Sequence, residues 1–149
     1  MSIMKIYTIG FAKKNAEIFF NLLNINNIER LVDIRLNPRG QLAGFTKQDD
    51  LPYFLSNLIC CEYHYLKILA PSDELLSNYR NDKNWDKYAL EFEKLMDERK
   101  IPYSLDRTFF EEKNCCLLCS ESTPDNCHRR LVSERLARYW NNFEIIHIV

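Results

Sequence analysis

Cys115-Cys116-Leu117-Leu118-Cys119-Ser120-Glu121-Ser122-Thr123-Pro124-Asp125-Asn126-Cys127-His128-Arg129-Arg130-Leu131-Val132-Ser133-Glu134-Arg135 is the stretch on which the reading of the whole chain turns. Its first residues, 115–119, are apolar without interruption, as in a strand buried on both faces of a parallel sheet. The polar run through Pro124 is a turn, and a helix is predicted from about 126 to 140. In an α/β protein such a turn gathers free backbone N–H groups and the positive end of a helix dipole at one place. Anions are bound there, and nucleophiles are sharpened there.

Outward from this unit, the same alternation of strand and helix continues in both directions. Strands are predicted at 5–10, ending in Gly10, at 30–35, broken by Asn37-Pro38-Arg39-Gly40, and at 62–66. A last strand spans 143–149. Between them lie a helix from Asn15, with Ile18, Phe19, Leu22 and Leu23 at helical spacing, and a second from about Asp49, with Pro52 in its first turn and Leu51, Phe54, Leu55 and Leu58 inward. Two more follow at 72–80 and 84–99, the latter with a Trp85, Tyr88, Ala89, Phe92, Leu95 and Met96 stripe assigned to core, and a short turn or helix falls at 106–112. The pattern predicts an α/β fold: a three-layer α/β/α sandwich around a mostly parallel sheet of about five strands, in one domain covering 1–149.

Composition bounds the function. A chain of 149 residues with 46% hydrophobic content is long enough to bury roughly two thirds of its unfolded surface. The formal net charge of −1 gives no bulk attraction to nucleic acid or anionic membrane, so anion binding must come from local clusters. Residues 5–47 supply one, with seven Lys or Arg against three acids. No apolar run approaches the ~18 residues of a membrane span and the N-terminus carries no export pattern, so a soluble, cytoplasmic protein is expected. In that setting the six cysteines read as buried thiols or site residues, not as a disulfide framework.

In such sheets ligands bind beyond the carboxyl ends of the strands. Those ends supply Thr8 and Gly10, Asp33, Arg35 and Arg39, His64, and the run from Cys119 to Arg130. Arg35, Arg39, Arg129 and Arg130 offer paired planar donors to phosphate or carboxylate; alternatively, Arg35 pairs with Asp33 or Glu121 and ties loops together. Cys127, at a predicted helix start beside His128 and two arginines, is a candidate nucleophile, with a small buried packing residue as the alternative. His128 fits a general base, a phosphate contact or a bond to a backbone carbonyl. Glu121 fits an acid–base role or a partner for Arg35, and in either role is expected to be paired. A metal site from Cys116, Cys119, Cys127 and His128 is disfavoured, because strand residues three apart face opposite ways. The sequence leaves the cofactor unidentified.

Thr8-Ile9-Gly10, Val32-Asp33-Ile34-Arg35 with Pro38, Gln41-Leu42-Ala43-Gly44-Phe45, and Leu118-Cys119-Ser120-Glu121 through Pro124 to Cys127-His128-Arg129-Arg130 together resemble the bacterial and archaeal family called domain of unknown function 488. The resemblance spans nearly the full chain. It implies an α/β fold with a site around these motifs and no defined activity, substrate or cofactor. Many members resemble Thr-x-Gly-His after the first strand, whereas Phe11 stands here. The loop at 41–45 is similar to that of a subgroup sharing this change, which implies a subgroup-specific ligand. The departure favours binding without turnover, or chemistry by another residue such as His128, and any acid–base chemistry then rests on His128 and Glu121.

The leading expectation is a small enzyme with an electropositive site acting on a phosphate- or carboxylate-bearing ligand, such as a nucleotide or nucleic-acid end. The alternatives are a non-catalytic module that binds nucleic acid or protein, and a chain whose arginines and acids form internal ion pairs alone.

Overall fold

The computed structural model describes residues 3–40 and 44–149. In chain order the elements are β1 (Met4–Gly10), α1 (Ala16–Ile25), β2 (Arg30–Asp33), α2 (Leu51–Ile59), β3 (Glu62–Tyr65), α3 (Asp73–Asp82), α4 (Trp85–Glu98), α5 (Arg107–Glu111), β4 (Cys115–Cys119), α6 (His128–Tyr139) and β5 (Phe143–Ile148). The expected α/β architecture is present, and all five strands run parallel in the order β3-β2-β4-β1-β5.

β2 and β4 are buried at every residue and β1 over its last five, whereas the edge strands β3 and β5 are mostly half-buried. Side-chain alternation then splits the core in two. Tyr7, Ile9, Leu31, Cys116 and Leu118 face α1 and α2, packing on Phe19, Phe20, Leu23, Leu51 and Leu55. Ile6, Val32, Cys115 and Leu117 face the other way, onto Leu75, Phe92, Phe110, Val132 and Leu136 of α3 to α6. Helices therefore cover both faces, as a three-layer sandwich requires.

Local signals fix several helix starts. Asn15, Ser72 and Asn84 each accept a backbone N–H from the residue three further on, the N-cap bond that satisfies an otherwise orphaned donor. Two expected core residues are not in it: Ile18 and Leu58 are exposed, while Phe20 takes the inward place on α1. β2 is two residues shorter than predicted. Past Asp33 the chain turns, because that carboxylate accepts the backbone N–H of Arg35 at 3.1 Å, a side-chain bond that competes with the ladder. α6 begins one residue later than expected for Cys127, which takes the extended N-cap position. All six cysteines are unpaired, and among the described residues no helix is long and apolar enough to cross a membrane.

Candidate functional site

Two crevices open where β4 ends, one toward β1 and one toward β2. The β1 side is filled by the protein itself. Phe11 N–H and Ala12 N–H continue the pairing past the strand, donating to Cys119 O at 3.2 Å and Ser120 O at 2.9 Å. Gly10 is required for that approach, since a Cβ there would lie 1.5 Å from Glu121 O. Arg129 closes what is left: its Nε donates to Thr8 Oγ1 at 3.2 Å and its Nη1 to Glu121 O at 2.5 Å, while its buried Nη2 has no partner. The Thr8 hydroxyl donates in turn to His147 Nδ1 at 2.6 Å. Burial, reinforced by the Arg129 charge, holds His147 below its ordinary pKa, which suits an imidazole accepting through Nδ1.

On the β2 side there is a cavity of about 310 Å³. Arg35, Leu36 and Asn37 come to it from the end of β2, Cys119, Ser120 and Glu121 from the end of β4, and Asn126, Cys127 and His128 from the start of α6. The far wall is α3 and the first turn of α4, with Tyr79, Arg80, Lys83, Trp85 and Tyr88.

Arg35 is the anchor of this cavity. Its Nε and Nη2 chelate the two oxygens of Asp33, each at 2.8 Å, and Nη2 also donates to Thr46 O at 2.7 Å. Tyr63 OH adds a 2.6 Å bond to the same carboxylate, and burial together with that carboxylate pushes the Tyr63 hydroxyl up. Yet Nη1 of Arg35, in a side chain that is only 2% exposed, has no hydrogen-bond partner. A buried guanidinium donor without an acceptor is costly unless something supplies one.

The cavity floor is formed by Cys119, Cys127 and His128, all buried. His128 Nε2 lies 2.7 Å from Ile34 O; a carbonyl can only accept, so that nitrogen carries the proton. Nδ1 then turns its lone pair toward Cys119 Sγ, 3.3 Å away. A hydrogen bond from the Cys127 thiol, with help from Ser120 N–H and the Arg129 charge, holds the Cys119 thiol below its ordinary pKa against the effect of burial. That same bond, with burial, holds Cys127 well above. The two buried thiols thus form one hydrogen-bonded pair at the cavity floor, Cys119 at the strand end and Cys127 at the start of α6.

The other anticipated residues fall around this floor. Glu121 is exposed at the rim, and its carboxylate belongs to no ion pair among the described residues; β4 ends at Cys119, so two further residues carry it outward. Arg130 lies over the Trp85 ring at 5.7 Å and 4.0 Å from Glu134. Thr8, Gly10 and Arg129 belong to the filled crevice. Arg39 is a surface residue, 3.8 Å from Asp49, and does not line the cavity. His64 lies at the edge on Glu62, 2.9 Å away. Phe11, in place of a histidine, is buried with the Arg35 guanidinium 5.6 Å from its ring. Of the loop at 41–45, residues Gln41, Leu42 and Ala43 lie outside the described residues.

Arg80, Lys83 and the aromatic wall were not anticipated. Trp85 and Tyr88, assigned to core by their spacing, stack on each other at 5.1 Å while also facing the cavity. Nothing in a helical pattern shows that α3 ends over the carboxyl edge of a distant strand; the repeat of basic residues at 80 and 83 was the one available signal.

The sequence model of a family described as Domain of unknown function DUF488 matches residues 15–136, a span that contains every cavity residue named above. No curated protein matches the chain, and no solved structure does.

Proposed function

This chain belongs to the DUF488 family, and from the cavity its fold builds we propose that it is an enzyme acting on a phosphate-bearing ligand, a nucleotide or a nucleic-acid end. The observation that carries the reading is Arg35 Nη1, a buried donor left without an acceptor in a residue that lines the cavity. Arg80 and Lys83 add two cations to the same cavity, and α6 begins at His128, so its unpaired N–H groups and dipole face the same space. A phosphate oxygen on Nη1 satisfies the orphaned donor and is charge-assisted. The Tyr79, Trp85 and Tyr88 rings offer an apolar face to a base beside it.

In this reading Cys119, Cys127 and His128 are the reactive groups, with His128 positioned by Ile34 O. Glu121, exposed at the rim, is the carboxylate open to an incoming ligand. Asp33 positions Arg35 and does not touch ligand, while Thr8, Gly10 and Arg129 hold the β4-to-α6 turn in shape. The net charge of −1 argues against an extended nucleic-acid track, and the ligand contact is local.

A panel of inorganic phosphate, pyrophosphate and nucleoside monophosphates is expected to raise the melting temperature of the wild type and not of an Arg80→Ala/Lys83→Ala double variant. Cys119→Ser is expected to retain that shift and lose turnover of the ligand that gives it. A panel that shifts neither protein sinks the reading.

A further inference from the structure

We infer that Cys119 Sγ, Cys127 Sγ and His128 Nδ1 form a zinc site with three protein ligands and a fourth position open to the cavity. These atoms all lie within 4.8 Å of one another, and each belongs to a buried residue. Tetrahedral zinc with sulfur at ~2.3 Å and nitrogen at ~2.0–2.1 Å sets its ligand atoms about 3.6–3.8 Å apart. The 3.3 Å between Cys119 Sγ and His128 Nδ1 is already close to that spacing.

Three further observations support it. His128 Nε2 donates to Ile34 O at 2.7 Å, the outer bond by which a ligating imidazole is fixed in one tautomer with its other nitrogen aimed at the ion. Thiolate and imidazole ligands favour zinc over the hard divalent cations. The three residues also line the open cavity, and a site with three protein ligands and one open position is the arrangement of catalytic zinc, whereas structural sites close all four.

Side-chain parity, which disfavoured zinc when Cys116 was a candidate ligand, here selects the set. Cys116 packs in the α1 and α2 core on the opposite face of the sheet, whereas Cys119 shares the face of Cys115 and Leu117 and meets the start of α6. Binding releases the two thiol protons, and two thiolates neutralise the dication. Arg129 remains a buried cation beside the site, with donors reaching a hydroxyl and a carbonyl, so an anion in the fourth position completes the charge balance. That deepens the function proposed above and rests on it only for the identity of the fourth ligand.

The test uses the whole chain carrying Cys60→Ser, which removes the exposed cysteine. The chelator-stripped protein is titrated with Zn²⁺ against a chromophoric chelator, and separately with Co²⁺. One equivalent of zinc is expected to bind, and cobalt is expected to give thiolate charge-transfer absorption with the intense visible bands of a tetrahedral site. Cys119→Ser, Cys127→Ser and His128→Gln should each weaken binding about 100-fold or more, with folding confirmed by circular dichroism. Failure of the parent protein to bind zinc, or a cobalt spectrum without thiolate bands, overturns the inference whether or not any variant folds. So does undiminished binding in a folded Cys119→Ser or Cys127→Ser variant. Zinc uptake without a response to the phosphate panel leaves the site standing and removes the ligand reading; the reverse result removes the zinc alone.

Discussion

The two crevices flanking the end of β4 are lined by similar chemistry and are put to different uses. Each contains a fully buried arginine. Toward β1, Arg129 donates from Nε to Thr8 and from Nη1 to Glu121 O while its buried Nη2 has no partner, and at Gly10 the main chain packs against residues 119–121 so closely that no side chain fits. Toward β2, Arg35 is chelated to Asp33, its Nη1 is likewise buried without a partner, and the residue lines an open cavity. The difference is one of neighbours: a carboxylate from its own strand end chelates Arg35 beside open space, whereas Arg129 bonds a hydroxyl and a carbonyl in a crevice closed by main chain. Each arginine keeps one buried donor unpartnered, so what separates the two is the space beside them.

The comparison can be broken by removing each arginine. Arg35→Met leaves the Asp33 carboxylate buried without its cation, which costs about 3–5 kcal/mol. Arg129→Met leaves only a hydroxyl and a carbonyl short of a donor, at about 1–3 kcal/mol. Urea unfolding of the two variants should therefore rank Arg35 as the larger loss, and the opposite ranking would show that Arg129 is the better-paired residue.

Gly10→Ala tests the closed crevice directly. The added methyl must displace the Glu121 backbone, and a loss of about 2–3 kcal/mol is expected, read from the urea midpoint. An unchanged midpoint would mean that the β1 side can open.

Lys83→Gly sharpens the open side. Lys83 ends α3 in the left-handed conformation, φ 55°, which glycine adopts without the Cβ penalty. The variant should gain about 0.5–1 kcal/mol of stability while binding phosphate ligands more weakly. Stability and affinity moving in opposite directions would mark Lys83 as retained for the cavity.

The smallest effect separates the two ends of the sheet with acid. At the amino end of β3, the Lys113 ammonium at 2.6 Å, with His64 and Arg30, holds Glu62 down to about 2. A carboxylate depressed in the folded state contributes stability above its unfolded value of about 4.3, lost as pH falls from there through about 2. Amide exchange between pH 4 and 2 should show β3 loosening at Glu62 by a small margin, and Glu62→Gln should abolish that dependence.

Much of the frame was legible in the sequence. Five strand segments could be read from apolar runs such as 115–119 and their punctuation by Gly10, Pro38 and Asn126, because burial on both faces leaves few polar positions in a parallel strand. The carboxyl-edge rule pointed to the strand ends that border the cavity, and Asp33 with Arg35 was among the pairings considered. Three things were not legible. Strand order was one, since periodicity carries no lateral information, and so the closed β1 side and the open β2 side could not be told apart. The pairing of Cys119 with Cys127 was another, because it depends on a hydrogen bond between two thiols with seven residues between them. The convergence of Cys119 with Cys127 and His128 was partly available: the parity argument applied to Cys116 already places Cys119 on the face of α6.

The most direct test of the account is calorimetric titration of a nucleoside monophosphate into the wild type, the Arg80→Ala/Lys83→Ala variant and Arg39→Ala. Arg80 and Lys83 line the cavity and Arg39 does not. The account predicts saturable binding to the wild type, a loss of about tenfold or more in the double variant, equivalent to ~1.4 kcal/mol, and no change in Arg39→Ala. Equal binding by all three proteins, or a loss confined to Arg39→Ala, would contradict an anion site in the β2–β4 crevice.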